Sequence, residues 1–447
     1  MIMKKVLILG AGLSASSLIR YLLEHSEANN WQVRVVDRNL DLLVKKLNNH
    51  PNGVALCFNA LEATERRPEI EQADLVISML PARFHPEVAA DCIAFKKHLI
   101  TPSYVSPEMQ ALNNEAVRAG ILIMNEIGVD PGLDHMSAMK IIDHIRSIGG
   151  EITSFKSYCG GLIAPQSDNN PWNYKFTWNP RNVVLAGEGG TAQYIDRQRY
   201  KYIPYSQLFN RLDTIEVEGF GSFDGYANRD SLAYRSIYGL DDIPTLYRGT
   251  LRRPGFCQHW NVIAQLGLTD DTYAMQDSAN LTPRSYVNTF LPFEDSITVE
   301  QKFLNFSKPF GIDSLDRYEW LGLFDGNEKI GLDNATPAQI LEKLLVNKLV
   351  LEPGDQDMLV MVHQFQYTLD GKTHGIDSSM VNVGEDQLYT SMSNTVGLPV
   401  AICAKMILNG EITDLGVHVP IKPHVYNPIL NELMRYGISF TEREIYI

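Results

Sequence analysis

Gly10-Ala11-Gly12-Leu13-Ser14-Ala15 follows directly on the apolar run Lys5-Val6-Leu7-Ile8-Leu9, the spacing of a G-x-G-x-x-A turn that receives the pyrophosphate of a dinucleotide. Gly10 takes the tight turn, Gly12 lets the backbone approach the phosphates, and Ala15 lets the next helix pack close to the strand. The helix N-terminus then offers unpaired N–H groups and a partial positive charge to the anion. Asp37, 27 positions after Gly10 at the end of a second strand, suits ribose hydroxyls, and Arg38 beside it suits a 2′-phosphate. Because Asp37 repels that phosphate, the pair favours NAD and leaves NADP open.

Further polar residues gather in three stretches that a core does not need. They are Thr101-Pro102-Ser103-Tyr104-Val105-Ser106-Pro107, then Asn125-Glu126-Ile127-Gly128-Val129-Asp130-Pro131-Gly132-Leu133-Asp134-His135, and lastly Asn228-Arg229-Asp230-Ser231 with Arg248-Gly249-Thr250-Leu251-Arg252-Arg253. The first two follow apolar strands, on the edge where open sheets bind ligands. The third carries guanidinium groups that pair with carboxylates. Each also has a plain structural reading. Asp130-Pro131-Gly132 makes a turn, Asp134 caps a helix beginning near His135, and arginines cluster on solvated faces. Cys159, beside Gly160-Gly161, reads equally as a pocket thiol or a small buried residue. The histidines show no H-x-x-H spacing, so no metal is expected.

The elements that must position these groups read as strand and helix in alternation. Helix Leu13 to Leu23, strand Gln32 to Val36, helix Leu40 to Leu47, strand Val54 to Phe58, helix Ala60 to Gln72 and strand Leu75 to Met79 describe a parallel sheet. Leu80-Pro81 then stands at the ligand-binding edge, before a helix over Glu87 to Phe95 and a strand over His98 to Thr101. From about Asn125 the alternation gives way to a mixed sheet with long loops. Thr336-Pro337 starts a helix carrying Ile340, Leu341, Leu344 and Leu345, and Met358 to Tyr367 with Asp370-Gly371 reads as a hairpin strand and its turn. Leu398-Pro399 followed by Ala401, Ile402, Ala404, Met406 and Ile407, then Gly410, reads as a helix that returns to the first domain.

Over 447 residues the formal net charge is −14, which opposes binding to nucleic acid or anionic lipid. Five cysteines, Cys57, Cys92, Cys159, Cys257 and Cys403, are odd in number and form no C-x-x-C pair, as expected of a reducing cytoplasm. The apolar start is broken at Gly10 and Gly12, so a core strand is expected there rather than a signal peptide, and no run reaches a membrane span.

Together these stretches resemble the saccharopine dehydrogenase family, in its glutamate-forming branch. The resemblance is carried by Gly10-Ala11-Gly12, Ser103 to Pro107, Asn125 to His135, Ser157-Tyr158-Cys159-Gly160-Gly161-Leu162, Tyr174-Lys175-Phe176, Asn228 to Ser231, Arg248 to Arg252 and Thr395-Val396-Gly397-Leu398-Pro399, in one order. It implies an α/β chain: a Rossmann dinucleotide-binding domain over 1–130 and 391–447, interrupted by a mixed α/β substrate domain over 131–390 with a small helical addition near 331–352. It implies a homodimer and a saccharopine site lined by Ser103, Tyr104, Asp130, Arg229, Thr250, Leu251 and Arg252. Leu13, Asp37, Arg38, Asn39, Cys57, Phe58, Pro102, Val129 and Asn179 are implied near the dinucleotide, with Ser14, Leu80, Pro81 and Ser103 at the same edge. The family's NADP-using fungal members place a neutral residue before the arginine where this chain has Asp37-Arg38, a departure that bears on the 2′-phosphate.

The implied reaction joins or separates the lysine and glutamate skeletons of saccharopine through hydride transfer and an imine. Asp130 is the expected acid/base, Tyr104 assists, and Cys159 is a further candidate. A carboxynorspermidine-type dehydrogenase is the alternative enzyme; its more cationic substrate needs fewer arginines than Arg229 and Arg252 provide. A non-catalytic NAD-sensing protein on the same fold is the alternative of another class.

Overall fold

Short runs rich in Val, Ile and Leu, each closed by a turn, form a parallel sheet because every strand is followed by a helix that carries the chain back across it. In the computed structural model, which describes residues 3–186 and 190–446, the strand order is Gly416–His418, Leu122–Met124, His98–Ile100, Leu75–Ser78, Lys4–Leu9, Trp31–Asp37 and Gly53–Cys57. All neighbours are parallel, with Leu9 opposite both Val36 and Ser78. Reading outward from Gly53–Cys57, this is the doubly wound order of a dinucleotide-binding fold, extended by one late strand. Leu7, Leu9, Val36, Val76, Val88, Leu99 and Ile123 are among the residues of its core.

The chain divides into two compact units, one of residues 1–151, 369–371 and 380–442, the other of 152–368, 372–379 and 443–447. The first unit's late helix, Ser391–Leu408, starts at the Thr390 cap, well before Pro399, and is buried at every residue except Lys405. It has the length and apolarity of a membrane span, but the rest of the fold covers it. At Gly397 it passes so close to the first helix that a Cβ would lie 2.8 Å from Leu18 N and 3.0 Å from Ser14 O. Nearby, Ser17 N–H donates to Ser393 Oγ at 2.9 Å and Ser17 Oγ to Asn394 Oδ1 at 2.5 Å.

Two expected helices begin differently. The one expected from Leu13 opens as a tight 3-10 turn, Leu13–Ala15, with Ala15 N–H donating to Gly12 O at 3.0 Å, before the α-helix Ser16–Glu24. The one expected from Ala60 begins at Ala63, because Asn59 accepts from Glu62 N–H through its carbonyl and from Leu61 N–H through its side chain.

The second unit is built on a mixed sheet in the order Leu212–Val217, Gly221–Ala227, Thr245–Arg252, Glu151–Ile163, Asp357–Leu369, Lys372–Val383 and Thr441–Tyr446, with the hairpin Ala192–Asp196 and Arg199–Ile203 alongside. Aromatic residues fill its core. Trp172 meets Phe256, Trp260 and Tyr318 edge-on, with ring centroids 5.8 to 6.3 Å apart. Helix Pro337–Val346 starts in a capping box formed by Thr336 and Gln339.

Candidate active site

At the end of the first strand, Gly10 turns with φ +99° and Gly12 is exposed, with nothing within 4 Å of where a Cβ would stand. The turn Leu13–Ala15 that follows has no side-chain cap. This is an open cradle of backbone amides at a helix start, bare where a phosphate needs access, and it fits a dinucleotide. Asp37 closes its inner side: Oδ2 accepts from Ala11 N–H at 2.9 Å and Oδ1 from Asn39 N–H at 3.0 Å. Arg38 is exposed, Asn39 caps helix Leu40–Leu47, and Cys57 Sγ lies 3.6 Å from Arg38 O. Beneath the loop, buried Lys46 donates from Nζ to Gly12 O at 2.6 Å. Burial pushes its ammonium down to about 8, while the charge of Asp37 pulls the other way.

The neighbouring strand ends bring up the rest of the first-unit residues. A Cβ on Gly10 would lie 3.5 Å from Leu80 Cδ2, and exposed Pro81 leads into the turn before helix His85–Phe95. Ser103 and Tyr104 lie in the loop after His98–Ile100, and Tyr104 Oη donates to Asp130 Oδ1 at 3.3 Å. Asp130 sits on a loop closed by Gly128 N–H to Pro131 O and Leu133 N–H to Gly128 O, with a cis Asp130–Pro131 peptide. Val129 is buried in that loop, and Asp134 N–H donates to Val129 O at 3.0 Å. The helix that follows begins at Leu133, with Asp134 Oδ1 accepting from Gly132 N–H at 2.6 Å.

In the second unit Tyr226, Thr250 and Cys159 stand at one register on three adjacent strands. Leu251 is fully buried. Arg252 is 4% exposed, lies 5.2 Å from the Tyr174 ring centroid, 5.6 Å from Phe256 and 5.8 Å from Tyr226, and donates from Nη1 to Leu251 O. Among the described residues its Nε has no partner and no carboxylate pairs with it. A desolvated cation with no counter-ion among the described residues is costly, and an anionic ligand suits the place. Arg229 differs: it is exposed, on a left-handed backbone with φ +47°. Asn179 is exposed and caps the short helix Pro180–Val184 through its side chain, which accepts from Arg181 N–H.

Comparison with known proteins agrees along the whole chain. Residues 6–124 match the saccharopine dehydrogenase NADP binding domain and residues 128–438 the saccharopine dehydrogenase C-terminal domain. The chain belongs to the saccharopine dehydrogenase family. Within it, the NADP(+), L-glutamate-forming saccharopine dehydrogenase of Schizosaccharomyces pombe is 32% identical over 453 residues, covering 99% of each chain. The apo structure of the L-Glu-forming enzyme of Saccharomyces cerevisiae superposes with a TM-score of 0.86 at 31% identity, covering 99% of this chain and all of that one. The mitochondrial alpha-aminoadipic semialdehyde synthase of mouse is 35% identical over 98% of this chain, which spans about half (47%) of that relative's length. A homospermidine synthase from Legionella pneumophila, 11% identical with a TM-score of 0.54, shares the fold.

For this member of the family, the structure also shows buried polar residues packed around Ser103 and Val105. His85, almost wholly buried, lies 2.8 Å from Ser103 Oγ and 2.9 Å from Thr101 Oγ1 through Nε2, and 3.0 Å from Ser78 Oγ through Nδ1. Burial pushes its imidazole down to about 4, which keeps it neutral. Glu126 accepts from Val105 N–H at 2.9 Å and lies 2.7 Å from His135 Nε2. Glu126 and His135 both fall in the polar stretch around Asp130, so that motif held the signal; nothing in the spacing marks His85 or Lys46.

Proposed function

We propose that the chain interconverts saccharopine with 2-aminoadipate 6-semialdehyde and glutamate, using a nicotinamide dinucleotide. The observation that carries this reading is Arg252, a buried guanidinium without a carboxylate among the described residues, which suits one of the three carboxylates of saccharopine. The dinucleotide, when bound, supplies the acceptor or donor of hydride. In the oxidative direction hydride leaves the carbon beside the secondary amine, water adds to the resulting imine, and the adduct separates into aldehyde and glutamate. The chain must take one proton from the amine and one from the water. We assign those transfers to Asp130, with the Tyr104 hydroxyl orienting its carboxylate through the 3.3 Å contact. Cys159, beside Thr250, is assigned a place in the substrate site.

On charge alone Asp37 favours NAD. Both its oxygens, however, are engaged by the amides of Ala11 and Asn39, Lys46 adds a cation under the same loop, and Arg38 is exposed beside it. These contacts support NADP as the cofactor, held at the loop by Gly10, Gly12 and Leu13 and at the ribose by Arg38 and Asn39. A homodimer, measurable by sedimentation, and a cytoplasmic setting, to which the odd number of cysteines and the lack of a C-x-x-C pair lend support, belong to the same proposal.

The deciding experiment follows nicotinamide absorbance with saccharopine, in parallel with NAD and NADP. Growth of the reduced-cofactor band with release of glutamate is the expected result, faster with NADP. No signal with either, together with oxidation of reduced cofactor by an aldehyde and a diamine, transfers the chain to polyamine chemistry.

A further inference from the structure

Tyr104 has a neighbour on each side that is held by a buried ionisable group. On one side Ser103 Oγ meets His85 Nε2 at 2.8 Å; on the other Val105 N–H donates to Glu126 Oε1 at 2.9 Å. Glu126 closes the arrangement, since its own N–H donates to Ser103 O at 3.1 Å and its Oε2 lies 2.7 Å from His135 Nε2. His85 is 2% exposed, Glu126 4% and His135 fully buried. We propose that His85, through the Ser103 hydroxyl, and Glu126, through the Val105 amide, form a clamp on the residues at either side of Tyr104 and thereby set its hydroxyl against Asp130.

Burying a carboxylate and two imidazoles is expensive unless every polar atom is used, and apolar side chains would fill this space at less cost. Here two of the three groups converge on a single three-residue segment, the one that carries the phenol assigned to orient Asp130. Glu126 also holds a left-handed backbone, φ +53°, a conformation that residues with a side chain adopt at a cost and that persists where surrounding contacts impose it. The ring of His85 is fixed from behind by Ser78 Oγ at Nδ1, so Nε2 stays directed at Ser103 and Thr101. Both are positioning residues: they act on Tyr104 and are too deeply buried to meet substrate.

The inference rests on the assignment of proton transfer to Asp130 with Tyr104 orienting it, so its test has one arm that needs that assignment and one that does not. In the first, Glu126→Ala, Glu126→Gln and His85→Gln are measured alone and with Tyr104→Phe. Glu126→Ala is expected to lower kcat about tenfold or more with dinucleotide affinity unchanged, and Glu126→Gln, which keeps an acceptor for Val105 N–H, to restore most of it. With Tyr104→Phe already present, Glu126→Ala should change kcat no further and leave the pH profile where Tyr104→Phe put it. An equal fall in kcat in both backgrounds overturns the clamp. In the second arm, hydrogen exchange of the dinucleotide-free protein should speed up about tenfold or more over residues 103–106 in Glu126→Ala while residues 10–16 keep their rate. Unchanged exchange there overturns the clamp. A wild-type protein inert towards saccharopine, or a Tyr104→Phe variant with full activity, defeats the functional assignment instead, and the exchange arm still decides the clamp.

Discussion

The hydroxyl of Tyr104 donates to Oδ1 of Asp130 at 3.3 Å, a long contact between two half-buried groups that can tighten when charge changes on the carboxylate. Asp130→Asn keeps the shape and removes the base. It should lower kcat by about 10²- to 10⁴-fold and abolish the acid limb of the pH–rate profile. Near-normal turnover with an unchanged profile in steady-state assays refutes that role.

Arg252 separates function from stability. Arg252→Met removes a buried cation that no carboxylate among the described residues neutralises, so the melting temperature of the ligand-free protein should hold or rise. Its KM for saccharopine should rise about a hundredfold, the loss of a desolvated carboxylate partner. Arg252→Lys should not rescue it, because an ammonium lacks the planar fork and the stacking on Tyr174 and Phe256. A KM within a factor of two of wild type in Arg252→Met removes this arginine from the substrate site.

Two glycines should behave oppositely when changed to alanine. At Gly12 the added methyl meets nothing, so thermal stability should stay within about 0.5 kcal/mol while dinucleotide affinity, read by fluorescence titration, falls. At Gly397 the methyl is forced against Leu18 N and Ser14 O, and the protein should lose on the order of 1–3 kcal/mol in denaturant titration.

His85 makes the fold sensitive to acid. Its imidazole titrates at about 4 in the folded chain and at the ordinary 6.5 when unfolded, so between these values the unfolded chain binds more protons. Stability is therefore complete above pH 6.5 and declines as pH falls towards 4. The loss from this group is on the order of a few kcal/mol, and urea midpoints for the wild type and His85→Gln should converge as the medium is acidified.

Lys46 acts at the alkaline end, and in two directions. Its folded value of about 8 lies below the ordinary 10.5, so the ligand-free protein should gain stability as pH rises from 8 towards 10.5. Over the first part of the same interval the ammonium under the glycine loop disappears, and NADPH affinity should fall. Titrations from pH 7 to 9.5 should show that fall in the wild type and a flat, weaker response in Lys46→Met.

The first unit was legible because its chemistry is local. A glycine loop must follow its strand, an acidic residue must close the next, and period and turn residues mark both, so Asp37 comes to lie against the loop and accepts from Ala11, between Gly10 and Gly12. What spacing could not tell was which way a side chain faces. Glu126 and Asp130 lie in one polar stretch, yet one carboxylate is buried against His135 and the other reaches Tyr104. Arg229 and Arg252 likewise read alike, and only the strand register buries the second among aromatic rings while the first stays exposed. His85 reaches Ser78, Thr101 and Ser103 from a helix, and Lys46 reaches Gly12 from another. Such encounters are set by packing between elements, which no single-chain period encodes.

The helix that seals the dinucleotide fold against Leu18 is made of residues 391–408, although the strand and loop it supports lie within the first twenty-five. During synthesis at roughly 5–20 residues per second, the nascent glycine loop must therefore wait tens of seconds for its covering helix. Over that interval the face of Leu18 and Ser17 remains unburied, so the ribosome-bound chain is a natural client for a holding chaperone until residues 391–408 have emerged.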